Sequence, residues 1–459
     1  MSLVKSGRLN ISVIDRAVSN VLQTKFAIGL FDEPMTNSSK EEIAMMDNSS
    51  SRQLALEAAL QGIVLLKNDE NTLPFQQSNI ENLAVIGPVT TLLEAYTGSY
   101  ANLGANVVMI LDALKQRNIQ YEYSQGCSLL NVTIDSSMLN ATIELAKKAD
   151  HIILMLGDNT GKPNETTGEF YNRVDLELSG GQLPLIWEVI TNANANAKVV
   201  IVLLNGRPVT FGTGLHNIFA INLGINNVYM NNLTRDNALL SIIPSLLTAY
   251  NPGEEGGNAL LDIIFGEFNP SAKLTSSWPQ SAAHIHSNHG THSPYQKEYI
   301  GDNNKPYLYN SIEPLFPFGF GLSYTAVTHS KISNGNIKQV VQNCKWKISL
   351  NVTNESPDLD TYEIIQIYYT KWVSEIVRYE LSLAGFSKVF VPKGKTVSVD
   401  VDIYADSLTY YDAYNKQWIL ESGPCFFYDG KNAKEYNHWS SVQFNISQRV
   451  VNPCKFWQA

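Results

Sequence analysis

Three apolar runs limit what this chain can fold into more than any other feature. They are Leu83-Ala84-Val85-Ile86, Ile152-Ile153-Leu154-Met155-Leu156 and Val199-Val200-Ile201-Val202-Leu203-Leu204, and each ends at a glycine or an Asn-Gly break. None alternates with polar residues, so each must be covered on both faces, the condition of a strand inside a parallel sheet. Stretches with helical spacing lie between them, among them Ser137 to Lys148 and Gln182 to Asn192. Strands and helices in alternation predict an α/β sandwich with a mostly parallel sheet. Ligands of such sheets meet the loops beyond the carboxyl ends of the strands. The long polar segment from Gly157 to Asp175 falls there.

Past His329 the period changes to two. Trp346 to Val352, Glu363 to Tyr369, Lys388 to Val391, Val397 to Val401 and Trp418 to Leu420 read as short strands separated by turns such as Pro392-Lys393-Gly394-Lys395. That pattern predicts an all-β sandwich. At the other end, Ile14, Val18, Val21, Leu22, Phe26 and Ile28 fall at three- and four-residue spacings, so Ile11 to Ile28 is an amphipathic helix with Gly29 to stop it. The expected division is 1–34 for this helix and its exit, 35–51 for a Ser- and Asn-rich linker, 52–283 for the α/β domain, 284–328 for a connecting segment and 329–450 for the β-sandwich. A chain of 459 residues has room for about three such units.

Composition excludes several classes of function. With 44% hydrophobic and 17% charged residues the chain is globular, and a net charge of −10 argues against nucleic-acid or anionic-membrane partners. No run of eighteen apolar residues provides a transmembrane helix, and the first residues lack the pattern of a signal peptide. Cys127, Cys344, Cys425 and Cys454 form no C-x-x-C pair, and their three possible pairings stay open. Sequons at Asn10, Asn37, Asn48, Asn131, Asn140, Asn164, Asn232, Asn351, Asn354 and Asn445 tilt the expected location to secreted, lysosomal or extracellular. His284, His286, His289 and His292 lack the carboxylate or cysteine partners of a closed metal site, so neither metal nor cofactor is expected. Glu254-Glu255 reads as the first turn of a helix and receives no chemistry.

Several segments, taken in order, carry a family resemblance. They are Ile14-Asp15-Arg16-Ala17-Val18 with Lys25 to Pro34, Arg52 to Ala59 with Val64-Leu65-Leu66-Lys67-Asn68 and Leu73-Pro74, then Asn205-Gly206-Arg207-Pro208-Val209, Gly256 to Gly266, Asn269 to Leu274 and Pro317 to Thr325. Together they resemble glycoside hydrolase family 3 over nearly the whole chain, although Ala272 stands where that family has glycine. The resemblance implies a retaining, exo-acting β-glycosidase that hydrolyses terminal β-linked sugars, with a fibronectin type III-like domain at its end. β-Glucosides are the expected substrates and β-xylosides the alternative. It also implies a nucleophilic Asp in a barrel of roughly 250 residues, of which only the last helix is expected here. This chain alone is therefore expected to be inactive, and the competing reading is a non-catalytic, carbohydrate-associated scaffold.

In the resembling family the acid/base Glu lies four residues before an Arg and ahead of an Asp-Leu and a Gly-Gln. Glu169, Arg173, Asp175-Leu176 and Gly181-Gln182 fit that spacing, with Asn172 where an Asp is usual. Glu169 is thus the expected catalytic acid/base and Glu165 the alternative. Such chemistry needs a carboxyl that gives a proton in one half-reaction and takes one in the next. The role requires aromatics such as Phe170 and Tyr171 to shield it, and both otherwise read as ordinary packing residues. Asp158 reads as a loop cap and Arg173 as a structural partner of a carboxylate.

Overall fold

The computed structural model describes residues 2–32, 47–101, 106–161, 165–169, 171–212, 238–282, 314–334, 345–379, 381–446 and 449–451. The chain divides into two units, residues 1–54 and 55–459. Residues 35–46 of the expected linker, the His284–His292 cluster and Phe170 lie outside the described residues.

In the first unit, α1 (Ile11–Ala27) starts at Asn10, whose side-chain oxygen accepts the Ser12 amide at 3.0 Å. That cap satisfies one orphaned N–H of the first turn. Gly29 takes the left-handed conformation, φ 73°, just past the helix end. No residue of α1 is buried, and the apolar stripe of Val18, Val21, Leu22 and Phe26 is exposed.

α2 (Ser49–Gly62) runs across the division at residue 54, and the second unit holds a six-stranded sheet ordered β1-β6-β5-β4-β2-β3. Its strands are β1 (Val64–Asn68), β2 (Leu83–Ile86), β3 (Glu122–Ser124), β4 (His151–Gly157), β5 (Lys198–Leu204) and β6 (Ser245–Thr248). All neighbours pair in parallel except β1 and β6, an antiparallel edge. The helices are α3 (Leu93–Thr97), α4 (Ile110–Gln116), α5 (Ser136–Lys148), α6 (Gln182–Asn192) and α7 (Gly256–Ile264). They explain the unalternating strands. On β4, Ile152, Leu154 and Leu156 join one core with α5 and α6, whereas Ile153 and Met155 join the other with α2, α4 and α7. Each such side chain contributes about 1.5–3 kcal/mol on burial. α7 begins at Gly256, directly after Glu254-Glu255, so that run does mark a helix start; the Glu255 carboxylate accepts the side-chain Nδ2 of Asn258 at 2.7 Å.

From β2 the chain steps outward to β3 and then returns past β2 to β4, so the winding reverses between β2 and β4. A crevice at the carboxyl edge is expected at such a reversal. Gly87, just after β2, and Gly157, at the end of β4, adopt φ 136° and 151°. A Cβ on either would stand 1.9 Å from a carbonyl oxygen of the adjacent strand, that of Met155 or Leu204. Only glycine fits this approach.

The β-sandwich pairs β12-β9-β7, with β8 (Ser333–Asn334) beside β9, against β11-β10-β15-β16. Here β7 is Val327–His329, β9 Lys345–Asn354, β10 Thr361–Thr370, β11 Ser382–Val391, β12 Thr396–Tyr404, β15 Gly423–Gly430 and β16 Tyr436–Ile446. All these pairs are antiparallel, and their inward residues, such as Ile348, Leu350, Ile365, Ile367, Val399 and Val401, form one core. A third small sheet joins β13 (Tyr410–Asp412), β14 (Gln417–Leu420) and β17 (Arg449–Val451). Asn269 ties the α/β part to the connecting segment and to the sandwich: its side-chain nitrogen donates to Thr325 Oγ1 at 3.0 Å and to the Asp360 carbonyl, just before β10, at 3.4 Å, and its oxygen accepts from Ser323 Oγ at 2.8 Å. Gln366 of β10 adds a bond from Nε2 to the Gly319 carbonyl at 3.0 Å.

Not every sequon is open to a glycan. Asn131, Asn140 and Asn351 are exposed, but Asn354 is fully buried and its amide donates to the carbonyls of Leu359 at 2.9 Å and Val391 at 3.2 Å. Cys127 and Cys425 are buried free thiols, and burial pushes Cys127 up to about 12. Cys344 and Cys454 lie outside the described residues.

His329 of β7 gives the sandwich a pH-sensitive joint. Its Nδ1 lies 2.8 Å from Asp429 Oδ2 and its Nε2 3.9 Å from Glu363 Oε1. Burial and nearby Lys273 act to lower its pKa, but the Asp429 hydrogen bond and the charges of Asp429 and Glu363 outweigh them, and the net shift is upward. A raised folded-state pKa stabilises fully below the unfolded value of about 6.5 and loses that contribution as pH rises through the folded value. Thermal unfolding of wild type and His329→Gln should therefore differ most below pH 6.5, with the gap narrowing as pH rises. A gap that widens or stays constant would contradict this.

Candidate active site

β4 brings the chain to the carboxyl edge at Gly157, and α6 fixes it there. Fully buried Gln182, the first residue of α6, donates from Nε2 to the Gly157 carbonyl at 2.9 Å and accepts the Gly157 amide on Oε1 at 2.8 Å. The side chain thus stands in for a strand partner where the ladder runs out. The Gly181-Gln182 pair, a spacing marker in the sequence, has a structural task.

The loop beyond β4 leaves through Asp158, which is 2% exposed. Its carboxylate accepts a hydrogen bond from Arg207 Nη2 on Oδ1 at 3.1 Å and the Thr166 hydroxyl at 3.3 Å, while Oδ2 lies 3.1 Å from Arg207 Nε as an ion-pair contact without a hydrogen bond. The Asn159 carbonyl accepts the amides of Thr166 at 2.8 Å and Thr167 at 3.3 Å, folding the loop back on itself. A Cβ on Gly161 would stand 2.2 Å from Glu94 Cγ, so this limb packs against α3, the helix that follows β2. The loop therefore stands at the reversal between β2 and β4.

At its far end the Tyr171 amide donates to the Gly168 carbonyl at 3.1 Å and closes a tight turn. Glu169 lies in that turn. It is exposed and, among the described residues, makes no hydrogen bond or ion pair. The Tyr171 hydroxyl, itself exposed, bonds to Glu165, and that bond and the Glu165 charge hold the phenol above its usual range. Glu165 is thereby engaged.

The loop returns through Arg173, whose Nη2 reaches Asp175 Oδ1 at 2.7 Å and the Glu177 carbonyl at 3.1 Å. Asp175 also accepts the Glu177 amide at 3.0 Å. Arg173 pairs with a carboxylate, the structural role its type suggests. Thr210, beyond β5, donates its amide to the Leu176 carbonyl at 2.8 Å and seats the returning limb beside the sheet.

Asp158 proves to be half of a buried ion pair, more than a loop cap. Its partner Arg207 and the lock at Gln182 carry the loop, and spacing alone did not mark either for that work. The signal was present in Asn205-Gly206-Arg207-Pro208, where the Asn205 amide donates to the Arg207 carbonyl and its oxygen accepts the Thr248 hydroxyl at 3.3 Å. Among the described residues no cluster of His, Cys, Asp and Glu could hold a metal ion.

Comparison with known proteins gives the family of the chain. The chain is 30% identical over 432 residues to a protein named β-xylosidase from Formosa agariphila, covering 92% of this chain and 54% of the relative. It is 30% identical over 464 residues to thermostable β-glucosidase B of Acetivibrio thermocellus, covering 97% of this chain and 54% of that protein. The chain thus spans about half the length of these relatives. In fold it is similar to the crystal structure of a β-glucosidase from Listeria innocua in complex with isofagomine, with a TM-score of 0.75 at 23% identity over 98% of this chain and 58% of that one. Residues 363–433 match the fibronectin type III-like domain. Residues 63–324 match the glycosyl hydrolase family 3 C-terminal domain, and the chain belongs to that family.

Proposed function

We propose that this protein is a retaining, exo-acting β-glycosidase acting on terminal β-glucosides, with β-xylosides as the alternative, and that Glu169 is its general acid/base. The observation that carries the reading is the division of labour among the loop's acids. Asp158, Glu165 and Asp175 each hold a partner, whereas Glu169 stands in an exposed turn at the sheet reversal with none among the described residues. A carboxyl free of internal partners is available for proton exchange with a substrate.

The reaction divides into two halves. In the first, Glu169 gives its proton to the glycosidic oxygen while a second carboxylate attacks the anomeric carbon, and the aglycone leaves as the alcohol. In the second, Glu169 takes a proton from water, whose oxygen attacks the same carbon and releases the second carboxylate. The two carboxyls of such an enzyme stand about 5–5.5 Å apart. The family resemblance assigns the second to the barrel.

Turnover of 4-nitrophenyl β-glycosides by the native protein tests the reading. The β-glucoside is expected to be cleaved fastest, with the β-xyloside next. Absence of turnover across glucoside, xyloside and galactoside would favour the non-catalytic scaffold.

A further inference from the structure

One guanidinium holds both limbs of the loop that carries Glu169. Arg207 pairs with Asp158 on the outgoing limb: its Nη2 donates to Oδ1 at 3.1 Å, and its Nε stands 3.1 Å from Oδ2 as an ion-pair contact without a hydrogen bond. On the returning limb its Nη1 donates to the Leu176 carbonyl at 3.0 Å and its Nη2 to the Glu177 carbonyl at 3.0 Å. The Asp158 side chain is 1% exposed and that of Arg207 14%, so the contact is shielded from water. The backbone behind Arg207 is fixed in turn by Asn205 and Thr248 at the end of the sheet.

We propose that Arg207 is a positioning residue for Glu169, fixing where the turn Gly168–Tyr171 stands over the sheet edge by fastening both ends of its loop at once. This rests on the reading of Glu169 as the acid/base. The planar fork of an arginine reaches a carboxylate and two carbonyls together, which a lysine ammonium on its single nitrogen cannot reproduce. Loss of the fork leaves a buried carboxylate unpaired and the returning limb without its anchor. Proton transfer in the transition state depends on placement, and a misplacement of about 1 Å costs roughly 100-fold in rate.

Two measurements on Arg207→Lys test the proposal. In this chain, amide hydrogen exchange over 159–177 is expected to rise by about tenfold or more, with the strands 151–157 and 198–204 unchanged. Unchanged exchange in the loop, or an equal rise everywhere, would overturn it. In the native protein, kcat/KM for phenyl β-glucoside should fall by roughly 100-fold. For 2,4-dinitrophenyl β-glucoside, whose leaving group departs without a proton, it should change little. An equal loss on both substrates shows a merely structural residue and overturns the proposal. Glu169→Gln run in parallel separates the two ideas: if it lacks this leaving-group selectivity the reading of Glu169 fails, while hydrogen exchange still decides whether Arg207 holds the loop.

Discussion

Glu169→Gln is expected to lower kcat/KM for phenyl β-glucoside by about 10²- to 10⁴-fold, the range lost with a general acid. For 2,4-dinitrophenyl β-glucoside the same constant should hold within about tenfold, since little proton donation is needed there. For the activated substrate kcat should still drop, and KM with it, because the variant also lacks the base that activates water in the second half-reaction. Accumulated glycosyl-enzyme lowers both constants together. The substitution keeps the size of the side chain in an exposed turn, so folding should be unaffected. Glu165→Gln removes only the charge beside Tyr171 and should cost far less. Full activity of Glu169→Gln on both substrates would move the acid elsewhere, with Glu165 the first place to look.

The second large effect is expected at Gly157. Gly157→Ala places a methyl group 1.9 Å from the Leu204 carbonyl oxygen and 2.7 Å from its carbon, on a backbone at φ 151°. Neither the main chain of β5 nor the buried ladder Gly157–Leu204 has room to shift, since β4 and β5 pair along seven successive residues. Backbone strain and core displacement together should cost about 4 kcal/mol or more. Urea unfolding of the two proteins measures this directly. A variant within about 1 kcal/mol of wild type would show that the sheet edge yields more easily than its geometry implies. Glycosidase activity should fall as well, because the loop to Glu169 departs from this residue and Gln182 locks it there.

Much of the fold was legible because both kinds of sheet leave a period in the sequence. β4 and β5 read as continuous apolar runs since alternate residues enter two different cores, and β12 reads Thr-Val-Ser-Val-Asp-Val-Asp because only one of its faces is covered. The antiparallel edge was not legible. β6 is only Ser245-Leu246-Leu247-Thr248, too short for a period, and its pairing with β1 joins residues far apart in the chain. The loop beyond β4 was legible as polar, long and placed at a carboxyl edge. What holds it was not, because Asp158 and Arg207 meet only once β4 and β5 lie side by side. Tyr171 shows the same limit from the other direction: its type suggested ordinary packing, with shielding of the acid as the alternative, but in the folded turn it is exposed and bonded to Glu165.

The role of Glu169 is tested most directly by chemical rescue. Glu169→Ala opens the site to a small anion, and in a retaining enzyme azide can then attack the glycosyl-enzyme without help from a base. With 2,4-dinitrophenyl β-glucoside the expected result is a rate that rises with azide concentration and a β-glucosyl azide product, its anomeric configuration read by NMR. No acceleration by azide, or an α-glucosyl azide, would contradict the assignment of Glu169 as the acid/base.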